Sequence, residues 1–156
     1  MISSIPKLDY IPYTDKEKNK LQQCILNEYY SYDNINMTNS EIKKSIQLII
    51  KPKLYIERTK NINRSYTNLF LRIIVIEDDI KGYNYAYTLI HEYIHLDKMI
   101  ANERLTDYLS VKLLYESDNI FLKKTACYIT YLKINNDNGN KYDCTDQLIK
   151  YFMKNF

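Results

Sequence analysis

Of the 156 residues only two are glycine and three are proline, and tryptophan is missing. Tyrosine, with 17 copies, dominates the aromatic set. Ile, Lys and Asn are plentiful, a bias that reflects an AT-rich genome rather than a function. No repeat, linker or low-complexity segment divides the chain. The three cysteines, Cys24, Cys127 and Cys144, are odd in number and widely spaced, with no Cys-x-x-Cys pair. Such usage fits reduced thiols in a cytosolic compartment. The start, "MISSIPKLDYIPY", lacks the basic and apolar regions of a signal peptide. No uninterrupted apolar run approaches a membrane span. The expected location is therefore cytoplasmic, without secretion or membrane attachment. The net charge is +3, with Lys and Arg scattered among Asp and Glu. Without a basic block there is no specific nucleic-acid signal.

What is present suits one domain, residues 1–156, long enough to bury a core. Residues 1–13 read as an extended arm, with Pro6 and Pro12 opposing helix. "TDKEKNKLQQCILNEYY" reads as a helix capped by Thr14, with Leu21, Ile25 and Leu26 on one face. "TNSEIKKSIQLII" reads as a second, capped by Asn39 or Ser40, with Ile42, Ile46 and Ile50 in a stripe and Pro52 ending it. "KLYIER" and "LFLRIIVIED" then bring β-branched and aromatic residues, on either side of the polar "TKNINRSYTN". They predict two strands joined by a loop in a small antiparallel sheet. "DDIKGYN" punctuates before the next helix. Two more helices are expected near 119–133 and 144–155, across the loop "NNDNGNKYD". The order indicates an α+β class, a small antiparallel sheet packed against a mainly helical domain.

Both histidines of the chain fall in one helical stretch, "TLIHEYIHLDKMIANERLTDYLS", residues 88–110. His91 and His95, four positions apart, stack on one helix face. Their imidazoles can aim at one zinc ion, about 2 Å from each. Glu92 is turned roughly 100° about the axis, so it reaches a water on the metal rather than the metal. Zinc lowers the pKa of that water to about 7. Glu92 would take its proton and pass it to a leaving amine. Two ligands and a base within one turn suit metal-assisted hydrolysis. A plain helix with two chance histidines has the same letters, so the third ligand matters. No histidine remains, which leaves a carboxylate or a cysteine. In "NERLTD", Glu103 can ligate. Asp107, one turn later on the same face, can accept the free N–H of a ligand histidine.

Glu103 follows His95 by only eight positions. On one unbroken helix it would lie roughly 12 Å from His95 along the axis. A site that includes Glu103 therefore requires a turn within 96–102, where neither Gly nor Pro stands. Asn102 is a good N-cap for a new helix from Glu103, and Asp97 is poorly placed in a last helical turn. With no third histidine, charge developing on a substrate oxygen must be met by Tyr, Arg or Lys. Tyr66, Arg64 and Arg72 lie near the presumed edge strand. Strand 69–76 reads either as an edge that can pair with an extended peptide or as a central core strand. Met99, Ile100, Leu109 and Leu113 read as core, as does Cys127.

"YTLIHEYIH" from Tyr87 to His95, followed by "ERLTDYLSVKLL" from Glu103 to Leu114, resembles the gluzincins, the thermolysin-like zinc peptidases. The closer resemblance is to the small ImmA/IrrE-type metallopeptidases, and it spans roughly residues 69–115. It implies His91, His95 and Glu103 as zinc ligands, Glu92 as catalytic base, and Asp107 as the partner of a ligand histidine. It implies a zinc-dependent metallopeptidase, a hydrolase acting on a protein or peptide substrate through a zinc-bound water. By family analogy the reaction is limited cleavage of an intracellular regulator. Two other readings remain open. One is an inactive zinc-binding regulatory or interaction domain, and the other is a helical interaction protein with an accidental motif.

Overall fold

The computed structural model describes residues 10–50, 55–59, 65–68, 70–77, 79–139 and 143–156, the side chains of 55–59 excepted. Pro6, Pro52 and Arg64 lie outside the described residues. Helix α1, Asp15–Ser31, starts where Thr14 and Glu17 cap each other. The Thr14 hydroxyl accepts from Glu17 N at 3.1 Å while Glu17 Oε1 accepts from Thr14 N at 2.9 Å. Helix α2, Asn39–Ile49, starts in the same way from Thr38 and Glu41. The cap is thus Thr38, not Asn39 or Ser40, because the reciprocal bond needs a Glu three positions on. Leu21 and Ile25 of α1 are buried, as are Ile42, Ile46 and Ile50, whereas Leu26 is half-buried.

Three strands follow: β1 (Tyr55–Thr59), β2 (Tyr66–Asn68) and β3 (Ile73–Glu77), in the order β1-β3-β2. Both predicted strands form, but they pair in parallel, Tyr55 opposite Ile73 and Thr59 opposite Glu77. The antiparallel pair is β2 with β3, Tyr66 opposite Val75 and Asn68 opposite Ile73. Strand β2 comes out of the polar stretch read as a loop. It is short and never fully buried, so it carries no apolar signature. Its start is pinned by a reciprocal pair: Ser65 N donates to Glu77 Oε1 at 3.1 Å, and Glu77 N to Ser65 Oγ at 3.0 Å. Ile74, Val75 and Ile76 are buried, so β3 is the central strand and the edge role passes to β2.

Helix α3 spans Gly82–Lys98, α4 Glu103–Tyr115, α5 Ile120–Asn135 and α6 Thr145–Met153. Gly82 enters α3 at φ 61, a left-handed conformation that costs glycine least. Helix α3 packs on α2, α4 and α5 and against β2 and β3. Tyr85, Ala86, Leu89 and Ile90 anchor it in the core. Each fully buried Leu or Ile contributes about 1.5–3 kcal/mol, which fixes this helix firmly. Cys127 and Cys144 are buried free thiols. The α+β class holds: a small sheet against a mainly helical domain. Among the described residues no helix is long and apolar enough to cross a membrane.

Candidate metal centre

Helix α3 ends at Lys98, and Met99 takes the left-handed conformation at φ 52, ψ 42. Helix α4 begins at Glu103, with Asn102 Oδ1 accepting from Leu105 N at 3.0 Å. The chain therefore turns within 96–102, without a glycine. A left-handed non-glycine residue costs about 1–2 kcal/mol. Three features offset that cost. Ile100 packs into the core, Asn102 caps α4, and the Ile100 carbonyl pairs with His95 Nδ1 at 2.7 Å. Met99 itself is 62% exposed, so it is not a core residue, because the reversal leaves it at the solvent side of the turn. Leu109 and Leu113 are half-buried against the core.

The reversal brings the first residue of α4 back beside α3. Glu103 Oε2 lies 2.9 Å from His91 Nε2, and Glu103 Oε1 lies 2.9 Å from His95 Nε2. The two Nε2 atoms are 3.1 Å apart. One turn along α4, Asp107 Oδ1 sits 2.8 Å from His91 Nδ1. The same oxygen accepts from the Tyr87 hydroxyl at 2.6 Å.

The partners on the far side of each ring decide what the near side offers. The Ile100 carbonyl can only accept, so His95 Nδ1 carries a hydrogen. A carboxylate likewise only accepts, so His91 Nδ1 carries one too. In the neutral rings both Nε2 atoms are then bare lone pairs. They face each other and two oxygens of an acidic side chain at hydrogen-bond distance. Such a cluster of acceptors repels itself unless a cation sits within it. A tetrahedral ion with ligands at about 2.0–2.1 Å spaces them about 3.3 Å apart, close to the separations found. His91, His95 and Glu103 can together hold a metal ion.

The acidic groups around the rings favour positive charge at this place. Burial pushes the His91 pKa down, but the Asp107 carboxylate, with Glu103 and Glu92, outweighs it and holds the pKa above the ordinary histidine value. Burial pushes Asp107 up, yet the bonds from His91 and Tyr87 and the nearby Lys133 ammonium bring it below the usual carboxylate range. Burial and then the Asp107 charge raise the Tyr87 phenol well above its ordinary value, so it remains a donor.

Glu92 stands outside this cluster. It is only 7% exposed, and its Oε2 accepts from the Thr67 hydroxyl at 2.7 Å. That hydroxyl also lies 2.9 Å from the Glu92 carbonyl oxygen. Strand β2 thus holds the carboxylate in place. A cleft of about 340 Å³ is lined by Ser65, Tyr66 and Thr67 on one side and His91, Glu92, His95, Ile100, Ala101 and Glu103 on the other. The Glu103 side chain is 66% exposed, so the cluster opens to solvent on that side. Of the three residues considered for the substrate oxygen, Tyr66 lines the cleft, Arg72 is an exposed turn residue outside the lining, and Arg64 is not described.

Behind Glu103, the next residue ties α4 to α6. Arg104 Nη2 donates to both Asp146 oxygens at 2.9 and 2.8 Å, and Nε to the Asp143 carbonyl at 2.9 Å. Asp146 Oδ2 also accepts from Ile11 N at 2.7 Å, so the N-terminal segment joins the same anchor. Sequence reasoning missed Thr67, Tyr87 and the Ile100 carbonyl. Only Tyr87 left a signal, its place one helical turn before His91. Comparison with known protein families, with curated proteins and with solved structures finds no match to this chain.

Proposed function

We propose that this protein is a zinc-dependent metallopeptidase that makes limited cuts in an intracellular protein. The observation that carries the reading is the set of three inward-facing acceptors, His91 Nε2, His95 Nε2 and Glu103, in an open cleft beside a held carboxylate, Glu92. The resemblance of "HEYIH" and "ERLTD" to gluzincin motifs adds to it. Zinc, when bound, supplies a Lewis acid and lowers the pKa of an attacking water. Glu92 takes the proton from that water and returns it to the leaving amide nitrogen. Thr67 keeps Glu92 aimed at the cleft. Tyr66, on the cleft wall, is the donor for the oxygen of the scissile carbonyl. Among the described residues β2 pairs only with β3, which leaves its outer edge for an extended peptide.

The deciding experiment is elemental analysis of the purified protein together with a cleavage assay on unfolded protein substrates. One zinc per chain and metal-dependent cleavage are expected. A chain that holds zinc and cuts nothing would be the inactive regulatory domain, and a chain without metal would be a helical protein with an accidental motif.

Asp107 offers a graded check. Losing the partner of a metal-bound histidine typically costs about 10–100-fold in metal affinity. Asp107→Ala is therefore expected to weaken zinc binding by that order in a chelator competition. Asp118→Ala, at an exposed position after α4, is expected to leave it unchanged. Equal affinities for the two variants would reject the role of Asp107.

A further inference from the structure

We propose that Tyr87 is a positioning residue for the metal centre, acting on His91 through Asp107. The inference rests on the zinc reading above. Tyr87, His91 and His95 follow one another at intervals of four along α3, so one stripe carries the phenol and both imidazoles. Asp107 crosses to them from α4. Its Oδ1 accepts two bonds at once, from the Tyr87 hydroxyl at 2.6 Å and from His91 Nδ1 at 2.8 Å. Its Oδ2 faces Lys133 Nζ of α5 at 4.0 Å, beyond a hydrogen bond but within electrostatic pull.

These three groups set the carboxylate's orientation. Lys133 attracts it toward α5, while Tyr87 and His91 hold it on α3. Without the phenol hydroxyl, only the imidazole N–H opposes Lys133. Asp107 is then freer to turn away, and His91 loses the bond that fixes its tautomer and ring plane. A ligand histidine so loosened binds metal less well. Tyr87 is neither one of the ligand-offering residues nor part of the cleft lining, and its hydroxyl bonds Asp107, so the effect of that hydroxyl passes through Asp107.

Tyr87→Phe isolates the hydroxyl, because the ring contact with His91, 6.1 Å between centroids, is kept. The measurement is zinc affinity by competition with a chromophoric chelator for wild type, Tyr87→Phe, Asp107→Ala and the double variant. Tyr87→Phe is expected to bind zinc several-fold more weakly, a smaller loss than the about 10–100-fold expected for Asp107→Ala. The double variant is expected to match Asp107→Ala alone. Unfolding of the metal-free proteins reports whether each variant folds, and Tyr87→Phe is expected to unfold close to wild type. Zinc-loaded wild type with an unaltered Tyr87→Phe affinity overturns this inference and spares the metal reading. An equal fall in the Asp107→Ala background overturns it as well. Wild type that binds no zinc overturns both.

Discussion

Alanine at His91, His95 or Glu103 is expected to strip the zinc and to lower the melting temperature of the metal-loaded protein. An ion held there would bind only the folded state, because α3 and α4 bring the three groups together across the turn at 96–102. With free zinc a thousandfold above its dissociation constant, that binding adds about 4.1 kcal/mol. For a domain of this size each kcal/mol moves the midpoint by about 2–4 °C, so the loss is about 8–16 °C. The three substitutions differ in what else they disturb. His91→Ala takes one of its donors from the Asp107 carboxylate, and His95→Ala frees the Ile100 carbonyl that helps to hold the turn. Glu103 is exposed and at the first turn of α4, so removing it costs the metal-free fold little. Glu103→Ala is therefore the cleanest reporter. Chelator should bring wild type down to the level of the Glu103→Ala variant. Zinc content equal in wild type and in the double histidine variant would sink the centre altogether.

How far this was visible in the sequence depends on how local each signal is. The helix around His91 and His95 was legible, because a four-residue spacing fixes a shared face whatever surrounds it. The turn before Glu103 was legible as a requirement and, locally, in the Asn102 cap and the ill-placed Asp97. Nothing in "LDKMIAN" forces a break, and Met99 accepts a left-handed conformation because Ile100 is buried and Asn102 caps. The burial of Ile100 is a tertiary cause, and it adds to the local one, the Asn102 cap. The Thr38 cap was written plainly, since Glu41 stands three positions later, yet nearer Asn and Ser residues drew the assignment. Strand direction was not written at all. Hydrophobic alternation fixes which residues a strand buries, not whether its neighbour runs parallel, and β1 and β3 pair across a segment that contains β2. The contact of Thr67 with Glu92 joins β2 to α3 and has no local signature either.

Glu92→Gln is expected to keep the zinc and lose the cleavage. Three observations separate the two properties. Glu92 is not among the groups that converge on the ion's place. Its carboxylate is buried and fixed by Thr67, so the amide of Gln, with nearly the same shape, can still accept that hydroxyl through its oxygen. The amide cannot take a proton from water, which is the role assigned to Glu92. General-base catalysis contributes typically about 10²–10⁴-fold, so the rate should fall by that order while metal content and melting temperature stay near wild type. The pairing of the two measurements gives the test its force. A distortion of the cleft would disturb the ligands on the same helix turn and release metal along with activity. A Glu92→Gln protein that still cuts at the wild-type rate would exclude Glu92 as the base, and cleavage would then need another proton acceptor in the cleft. Loss of cleavage together with loss of zinc would instead assign Glu92 to the metal's own support. Only unchanged zinc with abolished hydrolysis matches a carboxylate that is held at 2.7 Å by the edge strand and lines the cleft without joining the ligand group.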